Sequence, residues 1–285
     1  MNAPWRGTLL LTALAMMAFA GNSLLCRAAL RPGAIDATTF ALVRVLAGAA
    51  VLLPLALRTL PLHQVRHAGS WPSAVMLAAY AVAFSLAYRA LDASTGTLLL
   101  FGAVQVTMLG TARLRGERPP RGTWFGFLLA TAGLGILLLP GVHAPDVASA
   151  LLMVVAGVAW GGYSLRGRGA HDATAATTAN FVRALPLCAL ASLVALTIHP
   201  PHATGEGLLL AILSGAITSG LGYVVWYATV RSLTATAAAT AQLVVPVLAA
   251  FGGVLLFDEA LTLRLALAAP LVLGGAGLAI VAKRT

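Results

Sequence analysis

Long runs of apolar residues dominate the chain, and short polar or charged segments separate them. A run of about 20 apolar residues is the length that an α-helix needs to cross a bilayer. The backbone N–H and C=O groups must be satisfied inside such a segment, which a helix achieves. Ten spans are predicted, over residues 7–26, 37–58, 70–91, 94–114, 122–140, 147–166, 174–197, 206–230, 234–256 and 262–282.

The composition supports a membrane protein. The chain of 285 residues is 60% hydrophobic and only 9% charged, and its mean hydropathy is +0.92. So few charged side chains could not cover the surface of a soluble globular protein. No small-x-small cleavage site follows the first run, which is therefore predicted to be a retained helix rather than a signal peptide. Cys26 and Cys188 lie in apolar stretches and are predicted to be buried, reduced thiols.

The charge distribution predicts the orientation of the chain. A net charge of +10 would suggest a nucleic-acid partner in a soluble protein, but here the loops must be compared with one another. With a cytoplasmic N-terminus, the cytoplasmic side carries twelve Lys and Arg residues and the other side four. By the positive-inside rule, both termini are predicted to be cytoplasmic, in a bacterial-type inner (plasma) membrane. The expected surroundings are lipid, with no nucleic-acid partner, and the protein is expected to be a monomer or a weak dimer.

A ten-residue segment occurs twice, at residues 37–46 and, 139 residues later, at 176–185, with six identical positions. Each copy begins an apolar span and carries one arginine. Ten spans divided between two copies give five each, and an odd number turns the second copy upside down in the membrane. The predicted fold is thus an all-α integral membrane protein with two inverted five-helix repeats, 1–141 and 142–285. Inverted repeats are typical of secondary transporters, whose substrate lies near the bilayer midplane.

Several motifs resemble a known family. Spans 4 and 9 are followed by Gly116-Glu117 and Asp258-Glu259, and span 9 contains the run of residues 240–246, Thr-Ala-Gln-Leu-Val-Val-Pro. Together with the 5+5 arrangement and the arginine early in spans 2 and 7, they resemble the drug/metabolite transporter (DMT) superfamily, EamA type. Within it, the chain is similar to YddG-type amino-acid exporters. One departure is that Val104-Gln105 stands where the second repeat has Pro246-Val247.

The absence of acidic side chains and histidine from the middle of the predicted spans limits the possible transport mechanisms. No Asp, Glu or His lies in the middle of any predicted span. Proton-coupled carriers usually place such a group within the membrane, so facilitated diffusion is favoured over proton coupling. An intramembrane enzyme would lack its catalytic base, and a channel would lack charged pore rings. The sequence has no Gly-x-x-x-x-Gly-Lys motif that could bind ATP. No catalytic residue, cofactor or metal site is predicted.

Uncharged polar and aromatic side chains inside the spans are the candidate binding residues. An unpartnered amide in hydrocarbon costs several kcal/mol, so each buried amide should face a cavity or another helix. The family resemblance implies that the helices carrying these residues line a central cavity. The predicted substrate-binding residues are Asn22, Tyr80, Gln105, Trp160, Tyr163, Tyr223 and Gln242. For each amide, hydrogen bonding between helices is the alternative role.

Three further residues are predicted to have structural or gating roles. Arg44 and Arg183 are the only charged groups well within spans. Either could attract a carboxylate, but both lie near a helix start, where a snorkelling or interhelical arginine is common. The two arginines are predicted to lie towards opposite sides of the membrane, where a single substrate could not contact both, and this favours the structural role. Pro246 follows Gln242 by one turn, where it can kink the helix, either statically or as part of a gate.

The sequence therefore predicts a secondary transporter that exports amino acids or similar small metabolites by alternating access, without proton coupling. A neutral, aromatic-lined cavity suits zwitterions and moderately apolar molecules. The alternatives are an exporter of drugs or other metabolites with the same fold, with or without proton coupling, and then an intramembrane enzyme or a channel.

Overall fold

A computed structural model describes residues 3–30, 33–91, 93–118, 120–138, 146–257 and 263–282. Within these ranges the regular structure is helical, apart from one isolated β-bridge. The helices are α1 (Ala3–Leu30), α2 (Ala37–Leu57), α3 (Leu62–Ala68), α4 (Trp71–Ala87), α5 (Ala93–Leu114), α6 (Arg121–Leu138), α7 (Val147–Gly167), α8 (Ala173–Leu196), α9 (Gly205–Leu213), a π-helical segment (Ser214–Leu221), α10 (Gly222–Val230), α11 (Ala235–Gln242), α12 (Val244–Phe257) and α13 (Leu263–Val281).

Polar residues in the short connections determine where many of the helices begin. Each of them accepts a hydrogen bond from the backbone N–H three residues ahead, which satisfies one of the free donors of the first turn. For example, the side chain of Asp36 accepts from the N–H of Thr39 at 2.9 Å. The residues that cap a helix in this way are Asp36, Ser70, Asp146, Asp172, Thr204 and Thr234.

Helices occupy the positions of the predicted spans, and two of those spans are interrupted. The eighth contains the π segment, and the ninth breaks at Leu243, between α11 and α12. Among the described residues, six helical segments are long and apolar enough to cross a membrane, and a seventh is added if α3 and α4, bent by 70°, form one span. The chain is thus a multi-pass membrane protein, and the number of ten spans stays a prediction. Asp258-Glu259 lies outside the described residues.

The outer surface of the bundle is apolar. Leu114 is 90% exposed, Leu255 80% and Val106 76%, and many other large apolar side chains also point outwards. A soluble monomer rarely exposes so much contiguous apolar surface, whereas lipid tails solvate it well.

The two copies of the repeated segment run in opposite directions. α2 begins beside the loop that precedes α9, where the N–H of His202 donates to the Asp36 carboxylate at 3.1 Å. α8 begins beside the end of α10, where Arg231 donates to the carbonyl of His171 at 2.9 Å. One continuous 26-residue span, Gly205–Val230, separates these two places by ~39 Å. They therefore lie at opposite ends of the bundle.

Helix packing is symmetric under exchange of the two halves. α1 packs on α10 and α12, while α7 packs on α4 and α5, which are the corresponding helices. Likewise, α2 packs on the π segment as α8 packs on α4, and α6 pairs with α13. The antiparallel direction of α2 and α8, together with this packing, supports the inverted repeat, which stays a prediction.

Two loops join the halves at the end where α2 begins. Ile35 and Ala203 form the β-bridge, and the N–H of Asp36 donates to the carbonyl of His202 at 2.8 Å. The N–H of Thr204 donates back across the same pair of loops at 2.8 Å. We call residues 34–36 and 202–204 the clamp, and this end of the bundle the clamp end.

The clamp is expected to weaken in acid through Asp36. Partial burial raises the pKa of this carboxyl, but the hydrogen bonds from Thr39, His202 and Thr38 together lower it by more. The pKa is therefore below its ordinary value of 3.8. A carboxyl with a lowered folded-state pKa contributes stability above its unfolded pKa and loses it as the pH falls through the folded value. We expect the melting temperature of the purified wild type to fall more steeply below about pH 4 than that of Asp36→Asn. Equal slopes would show that this carboxylate contributes no stability.

Candidate functional site

All seven predicted binding side chains are buried in the interior of the bundle. They come from α1, α4, α5, α7, α10 and α11, and thus from both halves. The most exposed of them, Gln105, has only 7% of its surface accessible. Their contacts form three groups: a polar network around Asn22 and Arg44, two amides on α5 and α11, and a cluster of aromatic rings.

Asn22 is the centre of the polar network. Its Nδ2 donates to the hydroxyl of Tyr80 at 3.2 Å, and its Oδ1 accepts from Ser214 at 2.7 Å. Longer contacts of 3.4 Å join Oδ1 to the hydroxyls of Thr218 and Ser219. The side-chain amide therefore links α1 and α4 of the first half to the π segment of the second half.

The π-helical geometry makes this link possible. In a π-helix the backbone bonds run from residue i to residue i+5, so residues five apart lie on the same side. Ser214 and Ser219 have this spacing, and both point to Asn22. Ser214 was absent from the sequence-based candidates, although the small polar stretch of residues 214–220 within an apolar span could have indicated it.

Arg44 belongs to the same network and is only 1% exposed. Its Nε donates to Ser219 and its Nη2 to the hydroxyl of Tyr223, both at 3.0 Å. The guanidinium carbon lies 4.9 Å from the ring centre of Tyr80 and 5.5 Å from that of Phe84. Nη1 is buried and has no hydrogen-bond partner within the described ranges. Arg44 therefore does not extend towards the membrane surface, as a snorkelling arginine would, because protein encloses its side chain.

Arg183, the counterpart in the second repeat, has different surroundings. It is partly exposed and donates to the backbone carbonyl of Arg66, in the short helix α3, and more weakly to Ala179 at 3.4 Å. The structure thus brings Arg44, but not Arg183, together with the predicted binding residues.

Two glutamine amides hold α11 against its neighbours. The indole N–H of Trp160 donates to Oε1 of Gln242 at 2.7 Å, and Nε2 of Gln242 donates to the carbonyl of Ala238 at 3.2 Å. Gln105 donates to the carbonyl of Ala239 at 2.6 Å, while its Oε1 has no partner in the part of the chain that the structure describes. Both amides make interhelical contacts, and contact with a substrate stays a prediction.

The ninth predicted span is broken where the sequence predicts a kink. α11 ends at Gln242 and α12 begins at Val244, two residues before Pro246. Proline cannot donate to the carbonyl four residues earlier, which here belongs to Gln242. A gating role for Pro246 stays a prediction.

Aromatic rings fill the space between the halves. Trp160 lies 4.6 Å from Tyr223, 5.1 Å from Tyr80 and 5.7 Å from Tyr163, measured between ring centres. Phe19 completes the group, 5.1 Å from Trp160 and 5.9 Å from Tyr223. Sequence reasoning missed Phe19, because a phenylalanine inside an apolar span has nothing to distinguish it from a lipid-facing one. In this conformation the predicted binding side chains contact one another.

A cavity of about 510 Å³ opens at the end opposite the clamp. We call it the basic vestibule, because Arg115, Arg166, Arg168 and Arg231 line it. Tyr227 also lines it, and this tyrosine packs on Tyr163 with ring centres 4.9 Å apart and donates to its backbone carbonyl at 3.1 Å. Tyr227 and Tyr163 thus lie between the vestibule and Tyr223 of the central network.

Charged contacts around the vestibule keep two loops together. Arg168 pairs with Glu117 at 2.7 Å, and the other carboxylate oxygen of Glu117 accepts from the N–H of Ala235, at the start of α11, at 3.2 Å. Among the described residues, no three His, Cys, Asp or Glu side chains come together as metal ligands. Cys26 and Cys188 are buried and free.

Comparison with known proteins gives three findings. Residues 147–281 match the EamA-like transporter family. The uncharacterized protein PA1977 of Pseudomonas aeruginosa is 54% identical over 277 residues, which cover 96% of this chain and 95% of that protein. A crystal structure of another protein, 23% identical, has a TM-score of 0.78 and covers 97% of this chain and 98% of its own, so it shares the fold.

Proposed function

The chain belongs to the EamA-like transporter family by the domain in its second half, and from this premise we propose that it exports amino acids or similar small metabolites by alternating access. Members of this family are membrane transporters of small molecules. The proposal also includes facilitated diffusion as the mechanism and an inner-membrane location with both termini in the cytoplasm. Among family members, we propose that the chain is most similar in function to YddG-type amino-acid exporters.

The observation that carries the proposal is a buried polar network shared by the two halves. Asn22 and Arg44 of the first half hydrogen-bond to Ser214, Ser219 and Tyr223 of the second half. A rocking motion of one half against the other would open this network from either end. Such motion around a fixed site is the mechanism of carriers with inverted repeats.

The side chains in the network suit a zwitterion with an apolar portion. Amides of Asn22, Gln105 and Gln242 can exchange their interhelical hydrogen bonds for contacts with polar groups of a ligand. The rings of Trp160 and Tyr163 offer faces on which an apolar side chain can stack, and a site of this kind tolerates several related molecules.

Facilitated diffusion is favoured because no carboxylate or imidazole belongs to the network within the described residues. An exporter of drugs or other metabolites, with or without proton coupling, is the alternative with the same fold. An intramembrane enzyme or a channel would need an acid–base pair or charged pore rings, which the predicted spans lack.

Counterflow in proteoliposomes tests the proposal. Purified protein is reconstituted, vesicles are loaded with unlabelled leucine or phenylalanine, and uptake of the labelled amino acid is followed with and without a pH gradient. Saturable exchange without the gradient is expected. Electrical conductance or chemical turnover of the substrate would contradict a carrier, and an absolute requirement for the gradient would contradict the facilitative mechanism.

Gln242→Ala is expected to lower the initial counterflow rate about tenfold, because the buried indole N–H of Trp160 loses its acceptor and the site loses an amide. Gln64→Ala, at an exposed glutamine of α3, is the matched control and should behave as the wild type. Both rates are normalised to the amount of protein in the membrane. An unchanged rate in Gln242→Ala would remove this residue from the site.

A further inference from the structure

We propose that Arg44 binds the carboxylate of the transported molecule, so that the central site accepts carboxylate-bearing substrates and rejects amines and cations that lack this group. The inference rests on the proposed carrier function and specifies its substrate class. It also assigns different roles to two arginines that occupy the same position in the repeated segments.

The first argument is the charge of the site. Arg44 is 1% exposed, and the side chains that accept its hydrogen bonds are the hydroxyls of Ser219 and Tyr223. In the described part of the chain, no carboxylate forms an ion pair with it. A buried cation without a counterion is costly, and an anionic ligand would compensate its charge.

The second argument is the free hydrogen-bonding capacity. Nη1 of Arg44 is buried and, within the described ranges, unpartnered. The hydroxyl of Tyr223 accepts from Nη2, and its own O–H is shared with the neighbouring hydroxyl of Tyr80. A carboxylate beside Arg44 would receive a charge-assisted hydrogen bond from Nη1, and such bonds are about twice as strong as neutral ones.

The third argument is what surrounds the guanidinium. Tyr223 holds Nη2 with its hydroxyl, while its ring lies 4.6 Å from Trp160 and 5.9 Å from Phe19. A molecule anchored at Arg44 by its carboxylate would thus place the rest of its structure among aromatic rings. An aromatic or branched aliphatic carboxylate matches both parts of the site.

The fourth argument is the approach from the basic vestibule. Tyr227, at its surface, contacts Tyr163, and the ring of Tyr163 lies 6.2 Å from that of Tyr223, which binds Arg44. Four arginines line the vestibule, of which only Arg168 is paired with a carboxylate among the described residues, and a cleft with an excess of one sign of charge concentrates ligands of the opposite sign. Cationic molecules would be repelled there and again at Arg44.

Wild-type protein allows a test that depends on no variant. Unlabelled phenylalanine, 3-phenylpropionate, phenethylamine and phenylalanine methyl ester compete with labelled phenylalanine in counterflow, and each is also tested for thermal stabilisation of the purified full chain. The two carboxylates are expected to act at concentrations about tenfold or more below those of the amine and the ester. Equal potency of all four, or stabilisation by the amine alone, would overturn the assignment.

Variants then assign the selectivity to one side chain. Arg44→Gln should abolish the preference for carboxylates, Arg44→Lys should keep part of it, and Arg183→Gln, at the other repeat, should leave it unchanged. The measured quantity is the ratio of potencies of 3-phenylpropionate and phenethylamine, which a purely structural arginine would not alter. If Arg44→Gln does not fold, the lysine variant and the wild-type panel still decide.

The two proposals fail in different ways. Saturable counterflow without carboxylate preference would overturn the role of Arg44 and leave the carrier intact. Carboxylate-selective stabilisation without counterflow would support the Arg44 site and contradict the carrier. Absence of stabilisation by either carboxylate, together with absence of competition, would overturn the Arg44 assignment.

Discussion

Oxidation of the double variant Ile35→Cys/Ala203→Cys is expected to stop transport, and reduction is expected to restore it. These two residues are β-bridge partners in the clamp. The flanking hydrogen bonds run from Asp36 to His202 and from Thr204 back across the loops, each at 2.8 Å, so the bridge is a non-hydrogen-bonded pair. Partners of this kind have Cα atoms about 4.5 Å apart, which is within the reach of a disulfide.

The expected effect is large because alternating access requires each end of the bundle to open once in every cycle. In this conformation the clamp end is held by backbone hydrogen bonds between the halves, while the opposite end carries the basic vestibule. A covalent bond across the clamp would leave the site able to open only towards the vestibule. We expect the counterflow rate to fall about tenfold or more, limited by the fraction that escapes oxidation.

The measurement compares counterflow before oxidation, after oxidation, and after addition of a reductant. Each single cysteine variant and the oxidised wild type are controls, since Cys26 and Cys188 are both buried. Full transport by the cross-linked protein, verified by thiol titration, would show that the clamp does not separate during the cycle.

Much of the architecture could be predicted because it depends on local sequence. An apolar run has to become a helix in lipid, and a polar residue such as Ser70 or Asp172 just before the run caps its first turn. The hydrogen bonding of the buried amides could be predicted in the same way, because an amide without a partner in hydrocarbon is costly. Asn22 and Gln242 both form hydrogen bonds with side chains of other helices.

The different surroundings of Arg44 and Arg183 could not be predicted, because the two arginines occupy the same position in segments that share six of ten residues. The partners of Arg44 lie 175 and 179 residues away in the chain, on a π-helical segment and the helix after it. The backbone carbonyls of Arg66, in α3, and of Ala179, one turn earlier in α8, accept from Arg183 instead. Tertiary contacts at such separations leave no local pattern.

The predicted central cavity illustrates a second limit of sequence reasoning. The family resemblance implies that Trp160, Tyr163 and Tyr223 belong to one site, and the structure has their rings in contact. Whether such rings enclose an open cavity or close on one another depends on the conformational state of the protein. A single sequence encodes all of these states, so it does not indicate which of them a structure will have.

Gly215→Ala is expected to destabilise the protein more than the addition of a methyl group at any other position of the π segment. A Cβ at this position would overlap the carbonyl oxygen of Arg44 and would lie 2.8 Å from its Cα. The obstructing atoms are backbone, so no side-chain rotation can relieve the overlap, and α2 would have to move away from the π segment. Gly48 approaches from the α2 side, where a Cβ would lie 3.0 Å from the carbonyl oxygen of Gly215.

Separation of these elements would also lengthen the hydrogen bonds from Arg44 to Ser219 and Tyr223, which are 3.0 Å long in the native packing. Overpacking of a tight contact costs about 1–3 kcal/mol, and a weakened hydrogen bond to a buried charge adds about 1.5–3 kcal/mol. We expect the melting temperature in detergent to fall by several degrees and counterflow to be lost.

Gly110→Ala is the matched control, because this glycine of α5 has nothing within 4 Å of an added Cβ. Alanine there should be neutral or stabilising by up to about 1 kcal/mol, since it restricts the unfolded backbone and favours a helix. The comparison separates helix propensity from close packing, because both variants add the same methyl group to a helical glycine. A melting temperature of Gly215→Ala equal to that of the wild type would show that α2 and the π segment can separate without strain, and the anchoring of Arg44 would then not depend on their close contact.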